Sequence, residues 1–117
     1  MKIDKPWRFD EKTTYIYRDK KYNVHVACLL AKDLPVKTLL LDDFCIDYTL
    51  TTDTSLRSFV GHMKAVMDAD LNCPILLNED NVIIDGRHRL AKALFLGKKT
   101  IKAKRFDNDP AAIYETI

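Results

Sequence analysis

Residues 85–89 read Asp-Gly-Arg-His-Arg, between the apolar run Val82–Ile84 and a stretch, residues 90–96, with helical spacing. Arg87, His88 and Arg89 would therefore open a helix. That end already carries unpaired N–H groups and the positive pole of the macrodipole, so each added cation costs about 0.3–1 kcal/mol. An anion in the same place reverses the sign. First-turn amides, the small Gly86 and the three basic side chains would then converge on one phosphate. The plain alternative is a solvated charge run, with Asp85 as counter-charge and N-cap; on the residues alone the two stand level. Asp85 is the nearest carboxylate and the first candidate for a catalytic proton acceptor or a metal ligand. An Asp before Gly is more often a cap.

The elements that must position this turn are legible around it. "PILL-NEDN-VIID" is two apolar runs about a four-residue polar turn, a hairpin buried on at least one face. After it, Leu90, Ala93 and Leu94 share one helical side, and Gly97 ends that helix at C′. "TIKAKRF" alternates Ile101 and Ala103 with Lys102 and Lys104, as a strand does. Upstream, Leu56, Phe59, Val60, Met63, Val66 and Met67 recur at three-to-four spacing, the core stripe of an amphipathic helix capped by Asp53, Thr54 or Ser55. "LPVKTLLLDDF" is read as extended through Val36, with a turn around residues 39–44. "TYIYRDKKYNVHVACLL" predicts a hairpin about residues 18–21, its second arm alternating Tyr22, Val24, Val26, Cys28 and Leu30 with Asn23, His25, Ala27 and Leu29. Residues 1–13 are read as a polar arm whose Trp7 and Phe9 would dock on the body. The order is hairpin, short strand, helix, hairpin, helix, strand: an α+β domain without repeats.

Bulk properties bound the function. The 117 residues suit one domain; 47% are apolar and 31% charged, a globular composition. A formal charge of +2 is too small for wrapping long nucleic acid by charge alone, so any anion site is focused. Cys28, Cys45 and Cys73 are scattered and lack CxxC spacing, which argues against a disulfide framework or zinc site and for a reducing cytoplasm. No leader and no membrane-spanning run is visible. His25, on the polar side of its strand, and His62, opposite the apolar stripe, read as surface residues without partners.

"PILLNEDNVIIDGRHRLAKALFLGKKTIKAKRF" resembles the core of the ParB/sulfiredoxin superfamily: a hairpin, a Gly-x-(His/Arg)-Arg turn opening a helix, then Gly and a strand. The likeness covers Pro74 to Phe106 closely and the upstream strand and helix more weakly; residues 1–33 are outside it. It implies a small mixed sheet with helices packed on it, and a turn that holds nucleotide phosphates, ATP or CTP, with Mg2+ bridging them. Gly86, His88 and Arg89 match the phosphate-gripping turn. Arg87 stands where sulfiredoxins carry the catalytic cysteine, which removes sulfinic-acid reduction. The likeness also implies a second contact zone at the preceding helix start, from Thr54, Ser55, Arg57 and Ser58, where capping and solvated-arginine readings compete.

The leading expectation is a module that grips a nucleoside triphosphate at residues 86–89, as an NTPase, a kinase or a switch. A second is a DNA-binding or ParB-like nuclease protein, with Lys98, Lys99, Lys102, Lys104 and Arg105 along the last strand; the lack of a helix-turn-helix after this core disfavours sequence-specific reading. A third is an interaction or inhibitor protein of phage or plasmid type. It would meet a protein partner through Trp7, Phe9, Tyr15 and Tyr17.

Overall fold

The computed structural model describes residues 1–3, 13–48 and 54–117. Trp7, Phe9 and Asp53 lie outside the described residues. The chain runs β1 (Thr14–Tyr17), β2 (Lys20–Asn23), α1 (Val24–Leu30), β3 (Lys37–Leu40), α2 (Leu56–Asp68), β4 (Ile75–Leu77), β5 (Ile83–Asp85), α3 (Arg87–Phe95), β6 (Thr100–Arg105) and β7 (Tyr114–Thr116), with 3-10 turns at Leu41–Asp43 and Ala111–Ile113. The fold is α+β. Strands β1-β2-β7 form an antiparallel sheet, and β3-β6-β4-β5 a mixed one in which β4 and β6 run parallel.

The apolar runs Ile75–Leu77 and Ile83–Ile84 are unbroken because the sheet is covered on both faces. Leu76 and Ile84 join Tyr22, Val24, Ala27, Ala31, Phe106 and Ile113 in one core. Ile75, Leu77 and Ile83 join Leu90, Ala93, Ile101 and Ala103 in the other. The β4–β5 turn is built by Asn78, fully buried, whose Oδ1 accepts from the amides of Asp80 (2.8 Å) and Val82 (2.9 Å). Asn81 takes the left-handed conformation that closes the turn (φ 65°). Tyr22 ties the two sheets at this corner, donating to Asp109 (3.0 Å) and accepting from Asn78 Nδ2 (3.5 Å).

Three expectations are corrected. The arm beyond Asn23 is a helix, not a strand, and His25 lies in it. Asn23 Oδ1 accepts from the Val26 amide (2.9 Å) and starts the helix, and the buried residues are Val24, Ala27 and Ala31, at helical spacing. Alternation had placed Ala27 on the polar side. The strand at "LPVKTLL" comes later than expected, at Lys37–Leu40, with the 3-10 turn directly after it. The apolar stripe of α2 is mostly not core: Leu56, Phe59, Met63 and Met67 are 79%, 62%, 49% and 61% exposed, Val60 and Val66 are half-buried, and the buried residues of this helix are Ser58 and Gly61. The helix packs by its small and polar face. β7, with no counterpart in the sequence reading, pairs with β2.

Candidate functional site

The turn at residues 85–89 is held rigidly. Gly86 is the N-cap of α3 at φ 117°, and a Cβ there would lie 2.4 Å from Ile75 Cγ2. Packing against β4 alone therefore requires glycine, whatever binds nearby. The N-cap role considered for Asp85 falls to Gly86, and no side chain caps the helix. Asp85 instead pairs with Arg89, Oδ2 to Nη2 at 2.8 Å. Arg89 Nη1 also donates to the carbonyls of Pro74 (2.6 Å) and Cys73 (3.3 Å). The guanidinium thus clamps the end of β5 to the loop entering β4. At the other end of α3, Lys98 N donates to Ala93 O (3.0 Å) and Gly97 N to Leu94 O (3.1 Å), with Gly97 at φ 70°; this is a Schellman cap.

Asp85 has a second neighbour. Cys28 Sγ of α1 donates to its Oδ2 at 3.8 Å. Burial, aided by the Asp85 charge and opposed by Arg89, pushes this thiol up to about 11. Cys28 is therefore inert as a nucleophile at neutral pH. All three cysteines are free thiols, Cys45 and Cys73 being exposed.

A cavity of about 510 Å³ opens beside the start of α3. Gly86, Arg87, His88 and Arg89 line it from one side, His62, Ala65 and Asp68 of α2 from another, and Tyr15, Val24 and Ile84 close its apolar wall. Arg87 is spread over the rings of Tyr48 (5.0 Å) and Tyr15 (5.9 Å), which hold its cation at the rim. Tyr15 itself stacks on Tyr22 (4.9 Å between centroids), and its buried hydroxyl has no hydrogen-bond partner among the described residues.

Sequence reasoning placed His62 on the surface without a partner. It is half-buried, and its Nδ1 lies 2.9 Å from Nε2 of His88. The two rings join α2 to α3. One turn further on, Lys92 of α3 donates to the carbonyls of Met67 (2.8 Å) and Ala69 (2.7 Å), so α3 begins beside the middle of α2 and runs along its second half. Lys92 also neutralises the negative pole of α2. The His88 imidazole is held below its ordinary pKa by burial first, then by His62 and Arg89, with Asp85 opposing.

The second expected contact zone is placed differently. Ser55 is the N-cap of α2, its Oγ accepting from Ser58 N (3.1 Å). Thr54 and Arg57 are exposed, Ser58 is buried, and none of the four lines the cavity. The α2 residues that do line it sit one to three turns later, on the face Ser58-Gly61-His62-Ala65. That run of small residues with one histidine was the signal available in the sequence.

The basic residues of the last strand are divided. Lys104 donates to the carbonyls of Ala31 (3.3 Å) and Lys32 (2.9 Å) behind α1, and Arg105 to Asn81 Oδ1 (3.2 Å). Lys98, Lys99 and Lys102 are exposed. Tyr15 and Tyr17, considered as partner anchors, pack against the first core. Among the described residues, no cluster of three or more His, Cys, Asp or Glu forms a metal site, and no helix is long and apolar enough to cross a membrane. No family model, curated protein or solved structure matches the chain.

Proposed function

We propose that this cavity binds a phosphate-bearing ligand, a nucleoside triphosphate such as ATP or CTP, with its phosphates at the start of α3. The observation that carries the reading is convergence. Arg87 and His88 from α3, His62 from α2, and a helix start without a side-chain cap all meet one cavity of about 510 Å³. Cavities that hold drug-sized ligands run from roughly 300 to 1,000 Å³. The cationic side would take phosphates, and the wall of Tyr15, Val24 and Ile84 an organic group. The succession β4, β5, Gly86, α3, Gly97, β6 supports the ParB/sulfiredoxin likeness, whose turn grips phosphates in this position.

Within this reading the turn divides its labour. Arg87 and His88 meet the ligand, while Gly86 and the Asp85–Arg89 pair hold the turn in shape. Asp85, with Oδ2 already engaged by Arg89 and Cys28, is a positioning residue rather than a proton acceptor. Magnesium arrives with the phosphates, since Mg2+ is commonly held by one or two carboxylates plus phosphate oxygens; Asp68 and Asp70 are the further carboxylates on the cavity wall.

Thermal unfolding with ATP, CTP and pyrophosphate, with and without magnesium, tests the reading. A ligand at 100 times its dissociation constant stabilises by about 2.7 kcal/mol. Arg87→Ala and His88→Ala should remove the shift while the free protein still unfolds cooperatively. Absence of a shift with every phosphate ligand would overturn the proposal.

A further inference from the structure

The His62–His88 contact constrains how many protons the site can hold. A 2.9 Å N···N hydrogen bond needs one donor and one acceptor. The pair can be neutral, with one bridging hydrogen and one outer N–H, or it can carry one extra proton, so that both outer nitrogens donate. It cannot carry two without breaking the bond between the helices. The singly charged state suits an anion best, because it turns every outer position of the pair into a donor.

We propose that His62 is a further residue of the anion site, beside Arg87 and His88, and that ligand binding draws one proton onto the His62–His88 pair, making recognition of the phosphoryl group proton-coupled. This rests on the phosphate-binding reading above.

The surroundings disfavour charge on the His88 ring of the free pair. Burial, Arg89 and the neighbouring ring disfavour charge on His88, and the Asp85 carboxylate, neutralised by Arg89, opposes them only weakly. Arg87, at the helix start, adds a further cation. From the other packed elements, Asp68 and Asp70 at the end of α2 favour the extra proton, while Cys73 and Tyr15 complete the titratable wall. An incoming dianion would outweigh these terms because it lies against the pair itself. Affinity should then fall as pH rises, by up to about tenfold per pH unit for one linked proton.

The experiment is calorimetric titration of the protein with pyrophosphate, and separately with ATP and magnesium, at pH 7 in buffers of different ionisation enthalpy. The buffer dependence counts protons taken up. Subtracting the same count for His62→Gln removes the ligand's own titration, and unfolding scans of the variant report whether its fold is retained. Should that variant not fold, imidazole nitrogen shifts of both histidines in the wild type, with and without pyrophosphate, give the same count. The expected result is uptake of close to one proton by the wild type that His62→Gln loses. Binding without uptake, or uptake unchanged in the variant, overturns this inference and leaves the phosphate site standing. No binding of either probe overturns both. A pyrophosphate response matching that of ATP places the coupling at the phosphoryl group; a response to ATP alone overturns that assignment.

Discussion

At the scale of single residues, the turn that opens α3 separates groups that shape the site from groups that face the cavity. Gly86→Ala combines a left-handed backbone with a Cβ 2.4 Å from Ile75 Cγ2. Strain and overpacking of this kind each cost on the order of 1–3 kcal/mol, so the variant should lose roughly 2–6 kcal/mol in urea unfolding. Arg89→Ala leaves Asp85 half-buried without its cation and frees two carbonyls. Hydrogen bonds to charged groups are worth about 1.5–3 kcal/mol, and partial exposure of the pair puts the expected loss at the lower end. A variant with unchanged urea midpoint would show that the clamp contributes nothing. The residue types of this turn were legible in the sequence, but glycine was read there as room for an anion, whereas the structure needs it for the packing of Ile75 and the positive φ. Which cation faces the aromatic rim of the cavity and which clamps was not legible, because Arg87 and Arg89 differ only in direction, and Pro74 and Cys73, the clamp's acceptors, are distant in sequence.

The helices show where periodicity informs and where it misleads. For α3, Leu90 and Ala93 are buried as their spacing predicts and Gly97 ends the helix, but Leu94, expected on the same side, is exposed. For α2 the same rule predicted the helix and the wrong side. Its contacts with α3 run through the His62–His88 bond and the Lys92 cap, which need a polar, small-residue face, and the apolar stripe is left outward. A joint Phe59→Ser and Met63→Ser substitution should therefore leave stability within about 0.5 kcal/mol of wild type, as for other exposed sites, whereas a core stripe would lose several. Thermal unfolding decides between them. In α1, seven residues with two valines carry little helical signal of their own; the Asn23 cap and the packing of Ala27 against Leu76 and Ile84 in the first core decide the conformation.

For the molecule as a whole, His88 ties pH to stability. Its folded pKa lies below the ordinary value of 6.5, so above that value neither state is protonated and the contribution is complete. As pH falls from 6.5 through the folded value, the unfolded chain takes the proton first and the native state is disfavoured. The melting temperature should decline from pH 7.5 to 5.5, with a shallower slope in His88→Gln; equal slopes would remove His88 as the cause. The α+β class and the second-half order of hairpin, helix and strand were readable in the sequence, since each carries its own periodicity and glycine signal. The joining of two sheets through Tyr22, Asn78 and Asp109 was not. It depends on residues brought together only by the completed chain.

The parallel register of Ile75 beside Ala103 has a kinetic counterpart. β6 reaches its slot only after the polypeptide has passed through β5, the Gly86 bend and α3, so the mixed sheet zips shut across a long loop whose closure entropy must be met beforehand. The bend is then a rate-setting hinge. In stopped-flow measurements the Gly86→Ala penalty should fall mainly on the refolding limb, with little acceleration of unfolding.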